Sequence, residues 1–237
     1  MTRSVWLKAD DTVGDWEARK RRITAGLEAG VDWILVDEGD VGRVGDSGDV
    51  AVAAIRTDAE APLIDGVGDG AGDDGRVGAT TLGDDANATA GPDASVVGKH
   101  GEGDGTVDLP TDFSGSADLT TLRRRDDRAQ GAYVRVLGTE YEAFAEAAAD
   151  DADFTVIVGE DWSIIPLENL IARGGEETHL VAGATTAGEA RTAFETLEIG
   201  ADGVLLDSDA PDEIRGAVEA RDAADRGRSG REEAAEA

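Results

Sequence analysis

Lysine is scarce in this chain: among 237 residues, only Lys8, Lys20 and Lys99 carry a side-chain amine. Lys8 directly follows the apolar run Val5-Trp6-Leu7. A lysine at the end of a strand can form a Schiff base or polarise a carbonyl; its plainer role is a charged strand terminus. Lys99, within Val97-Gly98-Lys99-His100-Gly101-Glu102-Gly103, is the second candidate, although its glycines also suit a linker. Asp37 and Glu38 close another apolar run and can pair with a lysine or act as a general base. About one residue in five is acidic, so carboxylates by themselves carry little weight. Glu168 sits inside the apolar frame Ile165-Pro166-Leu167-Glu168-Asn169-Leu170-Ile171. Half-buried there, it needs a partner, or it adds charge at a helix N-terminus. Lys8, Lys99, Glu38 and Glu168 are therefore the candidate catalytic residues.

Other chemistries are poorly supplied. There is no cysteine, which excludes disulfides, thiol catalysis and Cys-ligated metals. The two histidines, His100 and His179, cannot form a His-rich metal site alone, and no metal is expected. His179 opens an apolar run and reads as structural; His100 reads as exposed. Gly66-Val67-Gly68-Asp69-Gly70-Ala71 fits a dinucleotide fingerprint in name only. Asp69, Asp73 and Asp74 would repel a pyrophosphate, and no helix follows.

These residues need elements to hold them. Short runs rich in Val, Leu and Ile occupy residues 4–9, 33–37, 50–55, 95–98, 132–137, 154–158, 179–182 and 203–206, as buried parallel strands do. Helical patterns lie between them. Residues 15–29 place Trp16, Ile23 and Leu27 at helical spacing, with Gly30 as a C-cap. Further helices are predicted over 140–149, 166–173, 186–199 and 211–224, two of them opened by Pro166 and Pro211. Strands alternating with helices at this length predict a (β/α)8 barrel, with a doubly wound open sheet as the alternative. An internal echo supports the barrel. Leu27-Glu28-Ala29-Gly30-Val31-Asp32 before one strand matches Leu197-Glu198-Ile199-Gly200-Ala201-Asp202 before another, and both strands end in an acid, Asp37 and Asp207. In a barrel the reactive end is the C-terminal end of the strands. That end gathers Lys8 and Asp10, Asp37 and Glu38, Lys99, Glu160 and Asp161, Thr185, and Asp207.

Composition sets the surroundings. With 52 acidic and 22 basic residues the net charge is −30. Such a polyanion does not seek nucleic acid or anionic membranes. At about 1 M salt the Debye length is roughly 3 Å, so surface carboxylates barely repel one another. The charge therefore predicts a protein adapted to high salt. No apolar run spans a bilayer, and Met1 to Trp6 lacks the apolar core of a secretory signal. A soluble cytoplasmic protein with a small-molecule substrate is expected. Residues 65–106 hold twelve glycines and eight aspartates and are expected to form a mobile acidic excursion, with a strand late in it. The domain reading is a barrel over 1–225, interrupted by a low-complexity insertion over 65–94, then a frayed or disordered tail over 226–237.

Several stretches together resemble the archaeal type II 3-dehydroquinate synthase family. They are Val5-Trp6-Leu7-Lys8-Ala9, Ala29 through Asp37, Val97-Gly98-Lys99, and Gly101-Glu102-Gly103-Asp104-Gly105-Thr106-Val107-Asp108-Leu109-Pro110. Asp161-Trp162, the run Ile164 through Ala172, and Glu195 through Asp207 complete the set. The likeness is strongest to haloarchaeal members. It implies NAD-dependent oxidative deamination of 2-amino-3,7-dideoxy-D-threo-hept-6-ulosonate, an oxidoreductase acting on a CH–NH2 group. Ring closure to 3-dehydroquinate follows, in the shikimate route to aromatic amino acids. By the same resemblance Lys8 or Lys99 polarises a ketone or binds the substrate carboxylate, and Glu38 or Glu168 moves protons. Family members continue into a further C-terminal region, and residues 66–90 depart from the family pattern. The alternatives are a barrel lyase or aldolase using Lys8 as a Schiff-base residue, and a catalytically incomplete N-terminal fragment.

Overall fold

Each apolar run is too short for a stable helix and rich in residues that suit a pleated, buried surface. In the computed structural model these runs become strands; it describes residues 2–45, 50–56, 91–98, 122, 129–159, 179–196 and 200–235. In chain order the elements are β1 (Ser4–Lys8), α1 (Trp16–Ala29), β2 (Trp33–Asp37), α2 (Val41–Gly45), β3 (Ala51–Ile55), β4 (Ala94–Val97) and β5 (Ala129–Val136). There follow α3 (Thr139–Asp151), β6 (Phe154–Gly159), β7 (His179–Ala184), α4 (Ala187–Glu195), β8 (Gly203–Leu206) and α5 (Pro211–Ala235). The strands are parallel, pair in sequential order and close into a barrel, with Val5 of β1 opposite Val204 of β8. That closing ladder settles the architecture in favour of the barrel over the open sheet.

Two differences from the sequence reading are matters of extent. Strand β5 begins at Ala129, ahead of the apolar run, because Gln130 and Gly131 join the ladder with β4. Helix α5 continues to Ala235 through the polar segment that suggested a fraying tail. The Ala, Glu and Arg in that segment are strong helix formers. The helix expected over 166–173, and the acidic excursion apart from β4 and its flanks, lie outside the described residues.

Side chains alternate across the barrel wall. Val5, Leu7, Ile34, Val36, Val134, Ile157, Val204 and Leu206 face outward into a core shared with the helices. Trp6, Leu35, Ile55, Val96, Tyr133, Phe154, Val156, Val181 and Leu205 fill the interior. Burial of side chains this large contributes about 1.5–3 kcal/mol each. Near the N-terminal ends of the strands Trp6 stacks on Trp33 at 4.6 Å and leans against Phe154 at 5.1 Å between ring centroids. Room for these rings comes from missing side chains: a Cβ on Gly131 would lie 2.1 Å from the Phe154 ring.

A polar device recurs around the same pole. Asp32, Asp93, Asp153 and Asp202 each immediately precede an even-numbered strand. Each carboxylate accepts a hydrogen bond from a backbone N–H of the preceding odd-numbered strand: Val5 at 2.7 Å, Val52 at 2.8 Å, Gln130 at 2.9 Å and Leu180 at 3.1 Å. The aspartate's own N–H donates back to the carbonyl of that same residue in all four cases. The echo seen in the sequence is two of these four clasps. Gly30 and Gly200, which precede two of them, adopt φ of +82° and +68°, where a side chain would be strained.

Candidate active site

The alternation that sends Trp6, Leu35 and Leu205 inward sends Lys8, Asp37 and Asp207 to the same side two residues later, at the opposite rim. Lys8 Nζ lies 3.2 Å from Asp207 Oδ2 and 3.9 Å from Asp10 Oδ1. Arg22 reaches up from α1. Its Nη1 donates to Asp207 Oδ1 at 2.6 Å and to the Lys8 carbonyl at 3.1 Å, and its Nε donates to Asp209 Oδ1 at 2.7 Å. Asp207 thus holds Lys8 and Arg22 on separate oxygens. Burial works against its charge, yet the Arg22 hydrogen bond and the charges of Lys8 and Arg22 keep its pKa below the usual carboxylate range.

Asp10 stands in contrast. It is fully buried, accepts a hydrogen bond from Thr12 Oγ1 at 2.5 Å through Oδ1, and leaves Oδ2 buried with no partner among the described residues. Burial dominates over the field of Lys8 and raises its pKa to about 6. On the β2 side, Asp37 Oδ2 accepts from the Asp11 N–H at 2.8 Å and from Arg19 Nη1 at 3.2 Å, and Arg19 also binds Asp40 at 2.6 Å. Burial, and then the neighbouring Asp11 charge, raises the pKa of Asp37.

Of the residues singled out in the sequence, Lys8 occupies the barrel mouth as expected. Glu38 is exposed in the 3-10 turn Glu38–Asp40. Successive residues at a strand end point apart, so of the pair it is Asp37 that turns inward. Lys99 and Glu168, together with Glu160 and Asp161, lie outside the described residues. Asp10 lies at the rim beside Lys8, as the sequence placed it, whereas Arg19 and Arg22 are contributors that the sequence reading missed. A signal for the arginines exists: Arg19, Arg22, Ile23 and Gly26 form the buried i, i+3, i+4, i+7 stripe of α1, an unusual place for charge. Arg135 follows inward-facing Tyr133 by two residues on β5 and so turns toward the same mouth.

The dinucleotide implied by the family resemblance would need N–H donors or cations for its pyrophosphate. At the start of α4 those donors are already taken. Glu189 Oε2 accepts from Thr185 N at 2.7 Å and Thr185 Oγ1 at 3.0 Å, and Glu213 Oε2 accepts from Ala187 N at 2.6 Å. The start of α4 therefore has these N–H groups committed within the protein. What the rim does provide is one amine in a ring of carboxylates beside a buried acid that titrates near neutrality, a setting for polarising and protonating a carbonyl oxygen.

Residues 2–221 match the family model described as 3-dehydroquinate synthase II N-terminal domain. The chain is 66% identical over 226 residues to a 3-dehydroquinate synthase of Natronomonas pharaonis, covering 95% of this chain and 53% of that protein. It is 65% identical over 227 residues to that of Halobacterium salinarum, with the same coverage of both chains. To the Methanosarcina mazei protein of that name it is 41% identical over 221 residues, 92% of this chain and 50% of that one. The chain thus spans about half the length of these relatives. Among solved structures, a phosphoribosylanthranilate isomerase of Thermotoga maritima superposes with a TM-score of 0.56 at 12% identity, covering 94% of this chain and all of that one. A tryptophan synthase alpha chain of Legionella pneumophila does so at 0.53 and 10%, covering 93% and 92%. Identities this low speak to the fold alone.

Proposed function

The chain belongs to the 3-dehydroquinate synthase II family, and from that premise we propose that it works on 2-amino-3,7-dideoxy-D-threo-hept-6-ulosonate and on the ketones of the dioxo acid that its oxidative deamination yields, as that acid closes to 3-dehydroquinate. NAD is the proposed hydride acceptor. The observation that carries the reading is Lys8, set in the barrel mouth against Asp207 and beside Asp10.

Lys8 donates a hydrogen bond to a substrate carbonyl oxygen and meets the negative charge that develops there when carbon bonds to carbon. Arg22 occupies one oxygen of Asp207 and the carbonyl of Lys8, which fixes the direction of the amine. A preoriented cation of this kind needs little reorganisation during reaction. Asp37, tethered by Arg19 and the Asp11 N–H, lines the next position along the rim.

Incubating the chain with the aminoulosonate and NAD in multimolar salt tests the reading. NADH absorbance and 3-dehydroquinate are expected to rise together. Lys8→Ala is expected to lower turnover about 10²- to 10⁴-fold, the usual contribution of a positioned proton donor. A folded chain that yields neither product overturns the assignment.

A further inference from the structure

We propose that Asp10 is a positioning residue that resupplies Lys8 with a proton during ring closure, a reading that rests on the carbonyl chemistry assigned to this rim. Three features of the site argue for it. Asp10 is the fully buried carboxyl group of the mouth, with one oxygen bonded to Thr12 and the other to nothing among the described residues. An acid left one hydrogen bond short in a protein interior is costly, and such defects concentrate at functional sites. Its bonded oxygen lies 3.9 Å from Lys8 Nζ, beyond direct hydrogen-bond reach but closed by rotation of the lysine stem.

The charges around it are accounted for. Asp11 and Thr12 belong to its own turn, Lys8 comes from β1 and Asp37 from β2. Asp207 from β8 and Arg22 from α1 meet Lys8 from the far side. Lys8 and Arg22 balance Asp207 and Asp209, which leaves Asp11 and Asp37 as the neighbouring carboxylates that oppose ionisation of Asp10. A midpoint of about 6 lets Asp10 exchange its proton under ordinary conditions.

The cycle conserves protons. As the new carbon–carbon bond forms, Lys8 Nζ gives a proton to the carbonyl oxygen, which becomes a hydroxyl. The Asp10 O–H proton passes to Nζ and leaves a carboxylate. The proton that the carbon beside the second ketone lost when its enolate formed has gone to water, and water returns a proton to the Asp10 carboxylate after ring closure. No electrons are gained or lost in this half of the reaction.

Lysine scarcity makes a substrate-free test clean, because 15N-lysine labelling gives only three side-chain signals. The Lys8 signal is expected to shift with a midpoint near pH 6, and Asp10→Asn is expected to abolish that shift. Thr12→Val removes a bond that favours the carboxylate and is expected to move the midpoint upward; it also serves if the Asp10 variant does not fold. A Lys8 signal flat across this range, or a shift surviving in Asp10→Asn, overturns the proposal. In turnover, 3-dehydroquinate formation by the parent chain is expected to fall as pH rises through about 6, and Asp10→Asn to be about 10²-fold slower without that fall. A pH limb unchanged in the variant overturns the relay. A parent chain that makes no product overturns the functional assignment, while the Lys8 signal still decides the inference.

Discussion

The two ends of the barrel treat carboxylates in opposite ways. At the N-terminal pole four aspartates each accept a strand N–H, and their side chains close gaps in the backbone ladder. At the C-terminal rim Asp10 is taken wholly out of water, and one of its oxygens has no partner among the described residues. The same residue type thus stabilises one end and strains the other. Where the carboxyl serves the fold its bonding is completed; where it faces the chemistry it is one bond short.

The largest perturbation should erase both ends together. Moving the chain from multimolar salt to about 0.1 M lengthens the Debye length to about 10 Å and exposes a net charge of −30 to its own repulsion. Far-UV ellipticity is expected to collapse; retention in dilute buffer would mean that the charge is not a salt adaptation. Next, Trp6→Ala removes the centre of the aromatic plug at the N-terminal pole. It is expected to cost about 3–5 kcal/mol, read from denaturant unfolding in high salt.

The comparison sharpens with two aspartate variants of opposite sign. The pKa of Asp10 is raised from 3.8 to about 6 on folding. Its favourable contribution is therefore present below its unfolded value and lost as pH rises through the folded one. Asp10→Asn should accordingly stabilise the fold by up to about 3 kcal/mol at pH 8 and by little at pH 4. Equal stability at both values would show that burial does not strain this group. Asp32→Ala instead strips the acceptor from the buried Val5 N–H and from Arg221. A loss of about 1–3 kcal/mol is expected at neutral pH, and a neutral result would demote the clasps to surface ornament.

Legibility followed burial. The eight apolar runs were readable because interior strands admit little but Val, Leu, Ile and Ala, and Trp33–Asp37 and Gly203–Leu206 have the bounds their composition implies. Helix α1 was equally plain, its cap at Gly30 included. The clasps were half visible, in the echo of Asp32 and Asp202, and the other two were lost among carboxylates that are common everywhere in the chain. At the rim, Lys8 stood out through rarity. Arg22 did not, because its ion pair spans 185 residues and its one local trace is a charge set on the stripe of α1 that carries Ile23 and Gly26. Glu38 and Asp37 looked equivalent in a linear text, and only the turn after β2 separates an exposed carboxylate from one facing the mouth.

The clasps join β1 to β2, β3 to β4, β5 to β6 and β7 to β8. The cylinder is therefore built like a cask whose staves are riveted in twos, with seams where no rivet crosses among the described residues. Cutting the chain at a seam and rejoining its ends elsewhere would leave every rivet inside an unbroken stretch, whereas a cut within a stave pair would leave one rivet to bridge the break. Rearranged versions of this barrel should therefore tolerate new termini between β2 and β3 better than between β1 and β2.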